Sequence, residues 1–374
     1  MIVPDPNYRP NPNRAIFITG PFDEQLVYRL TPQILQFQNE NREPITVYID
    51  SPGGNINHAE SLWRLLNASN QNSDPACSII TVVTSRAASA AADLLSSGDY
   101  AIAFPQSTIL YHGVRTFRDT PLTVETTSLL ASILRSSNET YAMELMRKIE
   151  FRFMFRFLTS RKEFDAIRNS NPTKTWTDTE CFLDIIAGNL SARALKLFRT
   201  ARARQGRYDQ LLAIAKKSTK YSSKAKTEAS RIKAMVDFEV KSNKKDPYWT
   251  FQDGGLTRLN DDFFLLNEHL ASSESDRFDR LCTLWGRFAL GPTEKEELDK
   301  TPEESRDDKL IQKVRPRLEP LWSFFVALCH ALQEGENELT AMDALWLGLI
   351  DEVIGMKFPC RRELMELKPD PPST

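Results

Sequence analysis

Residues 45–54 read ITVYIDSPGG, a short apolar run that ends in a Ser-Pro-Gly-Gly turn. Runs of this kind alternate with helical patterns over the first 113 residues, which is typical of βαβ units around a largely parallel sheet. Before this run, the pattern predicts a strand over AIFITG (15–20) and a helix over about 23–40. After it, the pattern predicts a helix over about 57–70. We therefore predict an α/β fold for this part of the chain.

The alternation continues after residue 77. SIITVVTS (78–85) predicts a third strand, and AASAAADLLSSG (87–98) predicts a short helix of small residues that Gly98 caps. YAIAF and STILYHG predict two more extended segments, the second of which contains His112. Strand and helix patterns thus alternate up to residue 113.

Three features stand where predicted strands end. Gly53 and Gly54 have no side chain, so another segment of backbone can approach them closely and one of their N–H groups can point into a cleft. Ser89 falls in the first turn of the predicted helix 87–98, where free N–H groups and the helix dipole favour negative charge, and His112 closes the following strand. Nucleophilic catalysis by serine needs an exposed hydroxyl, a base and backbone donors for the oxyanion. We predict Ser89 as the nucleophile and His112 as its base; the alternative for Ser89 is a small residue that lets a helix pack.

These motifs resemble those of the proteolytic subunit of the Clp protease, a ClpP-like serine peptidase of family S14. Five segments match the family's motifs in order, namely residues 16–21, 48–54, 87–89, 105–112 and 339–353. The resemblance covers about residues 15–160 and 318–355. It implies a ClpP/crotonase-like spiral of ββα units with a large, mainly helical insertion.

The resemblance implies catalytic roles for Ser89 and His112, and an oxyanion hole made by the backbone N–H groups of Gly54 and Ala90. Near the nucleophile the chain departs from the family. Ser85 stands where members usually have Gly, and Ala90 begins an Ala-Ala pair in place of Met-Gly. Because oxyanion donation uses the main chain, Ala90 can still serve.

The third member of the implied triad is a carboxylate. The family places an Asp five residues before the Ala of its closing motif, and Glu336 stands five residues before Ala341. A glutamate can orient an imidazole, although its longer side chain requires a displaced backbone. We predict Glu336 in this role, with Asn337 and Asp178 as the alternatives.

After residue 119 the pattern changes to long helices. Apolar residues at helical spacing predict a helix over 123–162, a buried helix over 318–333, and a helix over 338–355 that runs into a short strand. RKIEFRFMFRF (147–157) combines aromatic residues with Arg and Lys. The resemblance favours a subunit interface at this segment.

These patterns divide the chain into three parts. We predict a ClpP-like core over 1–165, a helical insertion over 166–317, and the closing core helix and strand with the tail over 318–374. Loop-closure cost grows slowly with length, so an excursion from the core can be accommodated if its two ends lie close together. We expect the insertion to control access to the site or pairing between subunits.

Bulk composition limits the class of protein. The 374 residues carry a net charge of −2, but residues 193–245 hold sixteen Lys or Arg and four acidic residues. This stretch lacks interleaved aromatics, so we predict a solvated helical face and no nucleic-acid site. No run reaches the roughly 20 apolar residues of a membrane-spanning helix, and the start does not resemble a signal peptide. We therefore expect a cytoplasmic protein with no membrane partner.

The five cysteines are widely spaced and odd in number. This pattern argues against a disulfide framework and against a zinc site. The favoured chemistry, serine catalysis, requires no metal and no organic cofactor. We therefore expect no cofactor, and small buried side chains at the cysteine positions.

We predict a serine endopeptidase that acts on protein or peptide substrates. The resemblance implies a homo-oligomeric particle and, as a candidate partner, an AAA+ unfoldase. The chain starts just before the first predicted strand, so we expect no counterpart of the family's N-terminal pore segment, which argues against unfoldase docking. Two alternatives remain: a catalytically inactive ClpP-like scaffold or regulatory subunit, and a crotonase-fold acyl-CoA hydratase or isomerase, which usually works with acidic residues.

Overall fold

The structure is a computed structural model. It describes residues 10–68, 77–116, 123–170, 176–220 and 278–356, the last range without 280, 284–285 and 287–289. Packing divides the chain into two compact units, the first with Met1–Phe198 and Cys329–Thr374 and the second with Arg199–Leu328. Much of the predicted insertion and of the basic stretch 193–245 lies outside the described residues.

A seven-stranded sheet forms the centre of the described part of the first unit. Its strands are β1 (Ala15–Thr19), β2 (Ile45–Ser51), β3 (Ile79–Ala88), β4 (Tyr100–Ala103), β5 (Thr108–His112), β6 (Glu336–Thr340) and β7 (Glu352–Val353). The order β1-β2-β3-β4-β7 is parallel throughout. β5 runs parallel to the end of β3, and β6 pairs antiparallel with β5.

The central strands are rich in Ile and Val because parallel strands are covered on both faces. Ile45, Val47 and Ile49 of β2 are fully buried, as are Ile79 and Val83 of β3. The strands predicted over 15–20, 45–50 and 78–85 therefore form as expected, and the α/β class is confirmed.

The described residues of the two units also form helices. In chain order they are α1 (Glu24–Glu40), α2 (Ile56–Leu66), α3 (Ala90–Ser97), α4 (Val124–Ser170), α5 (Asp178–Asn189), α6 (Ala192–Lys220), α7 (Pro292–Asp299), α8 (Glu303–Leu332) and α9 (Ala341–Trp346). The start of α1 is fixed by Asp23, whose carboxylate accepts a hydrogen bond from the Leu26 N–H at 2.8 Å. A capping box of Thr177 and Glu180 begins α5.

A buried ion pair fastens α4 to the sheet. The Arg152 guanidinium contacts the Asp351 carboxylate at 2.7 Å, and the two side chains are only 3% and 4% exposed. Arg152 also donates to the carbonyl oxygens of Ser96 and Gly98 at the end of α3. Such a buried charge is tolerated only when it is paired and hydrogen-bonded. The pair therefore fixes the middle of α4 against α3 and the strand that follows Asp351.

The aromatic segment 147–157 lies inside the first unit. Phe153 and Phe157 are fully buried, and both rings contact the ring of Phe182 in α5 at centroid distances of 5.6 and 5.4 Å. The prediction of a subunit interface at these aromatic side chains is therefore wrong, since their surface is already covered within the chain. The alternation of aromatic residues with Arg suggested an exposed surface, but Arg152 and Arg156 are buried as well.

The described part of the second unit is helical. Trp322 of α8 stacks on Phe278 at 5.4 Å and contacts Phe325 at 5.6 Å. Arg315 of α8 pairs with Asp279 at 2.7 Å. Aromatic packing along one side of α8 thus organises a small core of its own.

The region before residue 341 differs from its prediction. Residues 338–355 were expected to form a helix running into a strand, whereas 336–340 form the strand β6 and the helix α9 covers only Ala341–Trp346. The strand was missed because its sequence, ENELT, lacks apolar alternation; its hydrogen bonds to β5 decide its conformation.

The packing boundaries at Phe198 and Leu328 do not coincide with residues 166 and 317. The division into core, insertion and closing part stays a prediction. Within the described residues, no helix has the length and apolar character needed to cross a membrane.

Candidate active site

Ser89 occupies a strained corner between β3 and α3. Its φ of 57° is the one positive value among the described residues other than glycine. Its backbone N–H donates to the Leu110 carbonyl at 2.8 Å, and its carbonyl accepts from the Ala92 N–H at 2.8 Å. Backbone strain of this kind costs about 1 to 3 kcal/mol and concentrates at functional sites. A sharp strand-to-helix turn also exposes the side chain it carries.

The turn after β2 packs directly on this corner. A Cβ added to Gly53 would lie 2.4 Å from the Ala88 carbonyl oxygen and 2.6 Å from Ser89 Cβ, and Gly53 has a φ of 90°. Only glycine fits this position. Ser51 holds the turn, since its hydroxyl accepts from the Gly53 N–H at 3.1 Å and donates to the Gly20 carbonyl at 2.6 Å.

Gly54 and Ala90 follow the two turns. Gly54 has a φ of 149°, and its Cα faces the backbone of Phe22 too closely for a side chain. In the described part of the chain, no hydrogen bond uses the Gly54 N–H. Ala90 is the first residue of α3 and so has no acceptor for its N–H within the helix. Ala90 thus follows Ser89 directly, and Gly54 follows Gly53, the residue that packs on Ser89.

His112 ends β5, the strand beside the end of β3. Ala88 pairs with Leu110 in the parallel register, so Ser89 and His112 come at the carboxyl ends of neighbouring strands. The His112 Nδ1 atom lies 2.7 Å from the Gly113 carbonyl oxygen. A carbonyl can only accept, so this contact places the proton on Nδ1 and leaves Nε2 free to act as a base.

Ser89 and His112 are both half-buried, but they are not bonded to each other. Among the described residues, no hydrogen bond joins the Ser89 hydroxyl to the His112 ring. Their pairing therefore stays a prediction. Catalytic hydrogen bonds are often long or poorly aligned when no substrate is bound. The topology is therefore compatible with a Ser89–His112 hydrogen bond that forms when substrate binds.

Glu336 lies directly opposite His112. The two residues are partners in the antiparallel pairing of β5 with β6, and paired residues share a face of the sheet. The Glu336 carboxylate bonds to the guanidinium of Arg115 and not to His112, and these two side chains are 66% and 52% exposed. The structure thus brings the predicted acid to the right strand position but gives it another partner.

The two alternatives for the acid have structural roles. The Asn337 amide donates to the carbonyl oxygens of Ala331, Leu332 and Glu334, at and just after the end of α8. Asp178 begins α5 and accepts hydrogen bonds from Arg168. Neither side chain bonds to His112 in the described part of the chain.

Sequence reasoning missed two features near the site. Asn138 of α4 accepts a hydrogen bond from the Val114 N–H at 2.7 Å and packs on Gly113, which fixes the chain just after His112. Asp93 of α3 lies one turn after Ser89 and lines a pocket beside Ala90. Asp93 could have been noticed as the one acidic residue in a helix of Ala, Leu and Ser. Asn138 is too far from Gly113 and Val114 in the sequence for any local pattern to indicate the contact.

No group of His, Cys, Asp or Glu side chains among the described residues could hold a metal ion. The described cysteines are all free thiols inside the protein. Burial raises the pKa of the Cys282 thiol to about 12, which makes a reactive thiolate unfavourable there. The candidate chemistry therefore rests on Ser89 and its neighbours.

The fold and this arrangement define a mixed α/β protein with a serine on a strained strand-to-helix corner and a histidine at the end of the adjacent strand. Residues 8–128 match the family model described as Clp protease. The resemblance is confirmed over this segment, which is similar to Clp protease and supports a peptidase. The match includes Gly54, Ser89, Ala90 and His112, whereas Glu336 lies beyond it.

Proposed function

We propose that this protein is a serine endopeptidase of the Clp type, with Ser89 as nucleophile and His112 as general base. The observation that carries the proposal is the Ser89 corner, with its φ of 57° and its contact with Gly53. This conformation costs free energy for any residue other than glycine, so it persists only where the surrounding structure imposes it. Residues of this kind cluster at functional sites. No metal or organic cofactor takes part in this mechanism.

In the proposed reaction, His112 Nε2 removes the proton of the Ser89 hydroxyl while its oxygen attacks the scissile carbonyl carbon. The carbonyl oxygen becomes an oxyanion, which the N–H groups of Gly54 and Ala90 stabilise. His112 then returns the proton to the leaving amine, and an acyl-enzyme forms. Water activated by His112 hydrolyses the ester and regenerates Ser89.

Glu336 is proposed to orient His112 during this cycle. Its backbone already faces His112 across the β5–β6 pair. The carboxylate must exchange the exposed Arg115 guanidinium for the imidazole, and the imidazole must release the Gly113 carbonyl. Exposed ion pairs are worth about 0 to 1 kcal/mol, so this exchange is energetically accessible.

A fluorophosphonate probe tests the proposal, because it reacts covalently with an activated serine. We expect labelling of the wild type that disappears in Ser89→Ala and in His112→Ala, with little change in melting temperature. Ser137→Ala, which changes a half-buried serine of α4, is the matched control and should label like the wild type. Labelling that persists in Ser89→Ala would assign the reactive group elsewhere.

A second candidate is a catalytically inactive ClpP-like scaffold or regulatory subunit. The specific observation in its favour is that His112 bonds to Gly113 and Glu336 to Arg115, so the triad contacts are not made. The same probe separates the two functions. Absence of labelling in folded wild-type protein supports the scaffold.

We also propose a ClpP/crotonase-like spiral of ββα units with the helical insertion over 166–317, and a homo-oligomer that acts on protein or peptide substrates in the cytoplasm. The exposed apolar side chains Val124, Leu129 and Ile133 at the start of α4 support self-association. The mass of the particle in solution tests this proposal. An AAA+ unfoldase as partner stays a prediction.

A further inference from the structure

A pocket of about 220 Å³ lies between α2, α3 and α4, and Ala90 forms part of its wall. Asp93, Leu94 and Ser97 continue this wall along α3. Together with Ala90 they occupy positions one, four, five and eight of the helix, which share one face. The wall therefore runs for about 10 Å from the residue next to Ser89, at 1.5 Å per residue. Its length suits one long side chain.

The charges around this pocket are unequal. Glu60 of α2, Asp93 of α3 and Glu144 of α4 contribute carboxylates, whereas Arg64 and Lys148 contribute cations. The Arg64 side chain is 80% exposed and pairs with Glu60 at 3.2 Å, so these two charges largely offset each other at the rim. The Lys148 and Glu144 charges both act on Asp93, in opposite directions. The pocket thus has an excess of one negative charge.

Apolar surface lines the rest of the pocket. Trp63, Leu94 and Leu145 contribute it, and the Lys148 ammonium lies 5.8 Å from the centre of the Trp63 ring. Long basic side chains suit such a site, because their methylene stems pack on apolar walls while the charged end reaches a carboxylate. An acidic side chain would instead meet two carboxylates.

We propose that this pocket receives the cationic side chain, Lys or Arg, of the substrate residue that precedes the scissile bond, and that Asp93 is its specificity-determining residue. The inference rests on the proposed function, since the pocket can select a substrate only if the adjacent Ser89 attacks it. The cation enters beside Ala90 and reaches the Asp93 carboxylate one helical turn farther along α3.

The state of Asp93 agrees with this role. Burial raises the pKa of its carboxyl to about 6, although the Lys148 charge and a hydrogen bond from Gln333 at 3.3 Å lower it, and Glu144 raises it further. Tyr111 and Tyr141 are the other titratable groups that feel its charge. At pH 7.5 the carboxylate is ionised but incompletely compensated, and a bound cation supplies the missing charge.

The test measures binding without turnover. In the Ser89→Ala background, calorimetry compares two peptide amides that differ only in their last residue, arginine or norleucine. We expect the arginine peptide to bind about tenfold more tightly, the factor that one added charge contact supplies. Asp93→Asn, which keeps the size of the side chain, should remove most of this preference. Lys148→Met should increase it, because a competing cation is lost.

The exposed Glu24 provides a control, since Glu24→Gln removes one carboxylate far along the chain from the pocket and should leave the preference intact. Equal binding of the two peptides, or tighter binding of norleucine, would overturn the assignment of the pocket. So would a fall in preference in Lys148→Met. Fluorophosphonate labelling of the wild type is read separately. Its absence would overturn the peptidase proposal, while the binding ratio would still decide what the pocket accepts.

Discussion

The β3–α3 corner and the paired ends of β5 and β6 hold the two halves of the candidate site in different ways. At the corner, backbone contacts with Gly53 and Leu110 fix Ser89. At the strand ends, His112 contacts its own neighbour Gly113, and Glu336 contacts Arg115 in solvent. The proposed nucleophile is therefore positioned by the fold, whereas the proposed base and acid depend on side-chain rotation.

This difference has an energetic side. The corner stores unfavourable free energy, because it combines a strained φ at Ser89 with a poorly compensated carboxylate at Asp93. The strand ends store almost none, because an exposed ion pair such as Arg115 with Glu336 contributes little. Proteins tolerate local cost where function requires it and recover it elsewhere. The buried pair of Arg152 with Asp351 shows how firmly the corner's helix is held to α4.

The largest effect should come from disrupting the contact between Gly53 and the β3–α3 corner. In Gly53→Ala, the new Cβ would overlap the Ala88 carbonyl and Ser89 Cβ, and its φ of 90° would be strained. We expect the fluorophosphonate labelling rate to fall by about a hundredfold or more, since displacing a reacting group by 1 Å costs that much. The free energy of unfolding should fall by about 1 to 3 kcal/mol.

Gly188→Ala is the matched control for this change. Gly188 lies in α5 with no atom within 4 Å of an added Cβ and with no positive φ. Its substitution should leave labelling unchanged and raise the free energy of unfolding by up to about 1 kcal/mol. If Gly53→Ala labels like the wild type, the corner does not position the nucleophile.

A second, smaller effect concerns the loss of stability that the ionised Asp93 carboxylate causes beside the corner. Its pKa is raised from 3.8 to about 6 in the folded protein, so the folded state binds more protons than the unfolded state between these values. The contribution of Asp93 to stability therefore falls as the pH rises from 4 to 6. Asp93→Asn should be more stable than the wild type by about 2 to 3 kcal/mol at pH 7.5, with a difference near zero at pH 4. Urea unfolding at both pH values measures this; a difference independent of pH would contradict it.

The sequence was sufficient for much of the rigid half. Val and Ile runs predicted β2 and β3, and the order of Gly54, Ser89 and His112 followed from where the strands end. These features are local, because a turn, a cap or a strand end is encoded within a few residues. The family resemblance rested on the same short motifs and is confirmed over 8–128.

The remaining features depend on contacts between distant residues. ENELT at 336–340 gives no strand pattern, and only its pairing with β5 makes it a strand. The partner of Glu336, Arg115, is separated from it by more than two hundred positions. Aromatic residues at 147–157 resembled an interface because the sequence does not show that α5 covers them. Packing partners of this kind are not encoded in local spacing.

The smallest effect should come from removing the Arg115–Glu336 ion pair at the ends of β5 and β6. Arg115→Gln removes the cation that holds the Glu336 carboxylate, so Glu336 becomes free to turn toward His112 on the same face of the β5–β6 pair. Since an exposed ion pair contributes at most about 1 kcal/mol, we expect kcat/KM for a fluorogenic peptide to rise about two- to fivefold. Arg193→Gln is a close control, because Arg193 forms a similar exposed pair with Glu338 on the same strand. The wild type should show a parallel gain as salt screens the Arg115 pair, and Arg115→Gln should not. A loss of rate in Arg115→Gln, or an equal gain in Arg193→Gln, would mean that Glu336 is not the residue that orients His112.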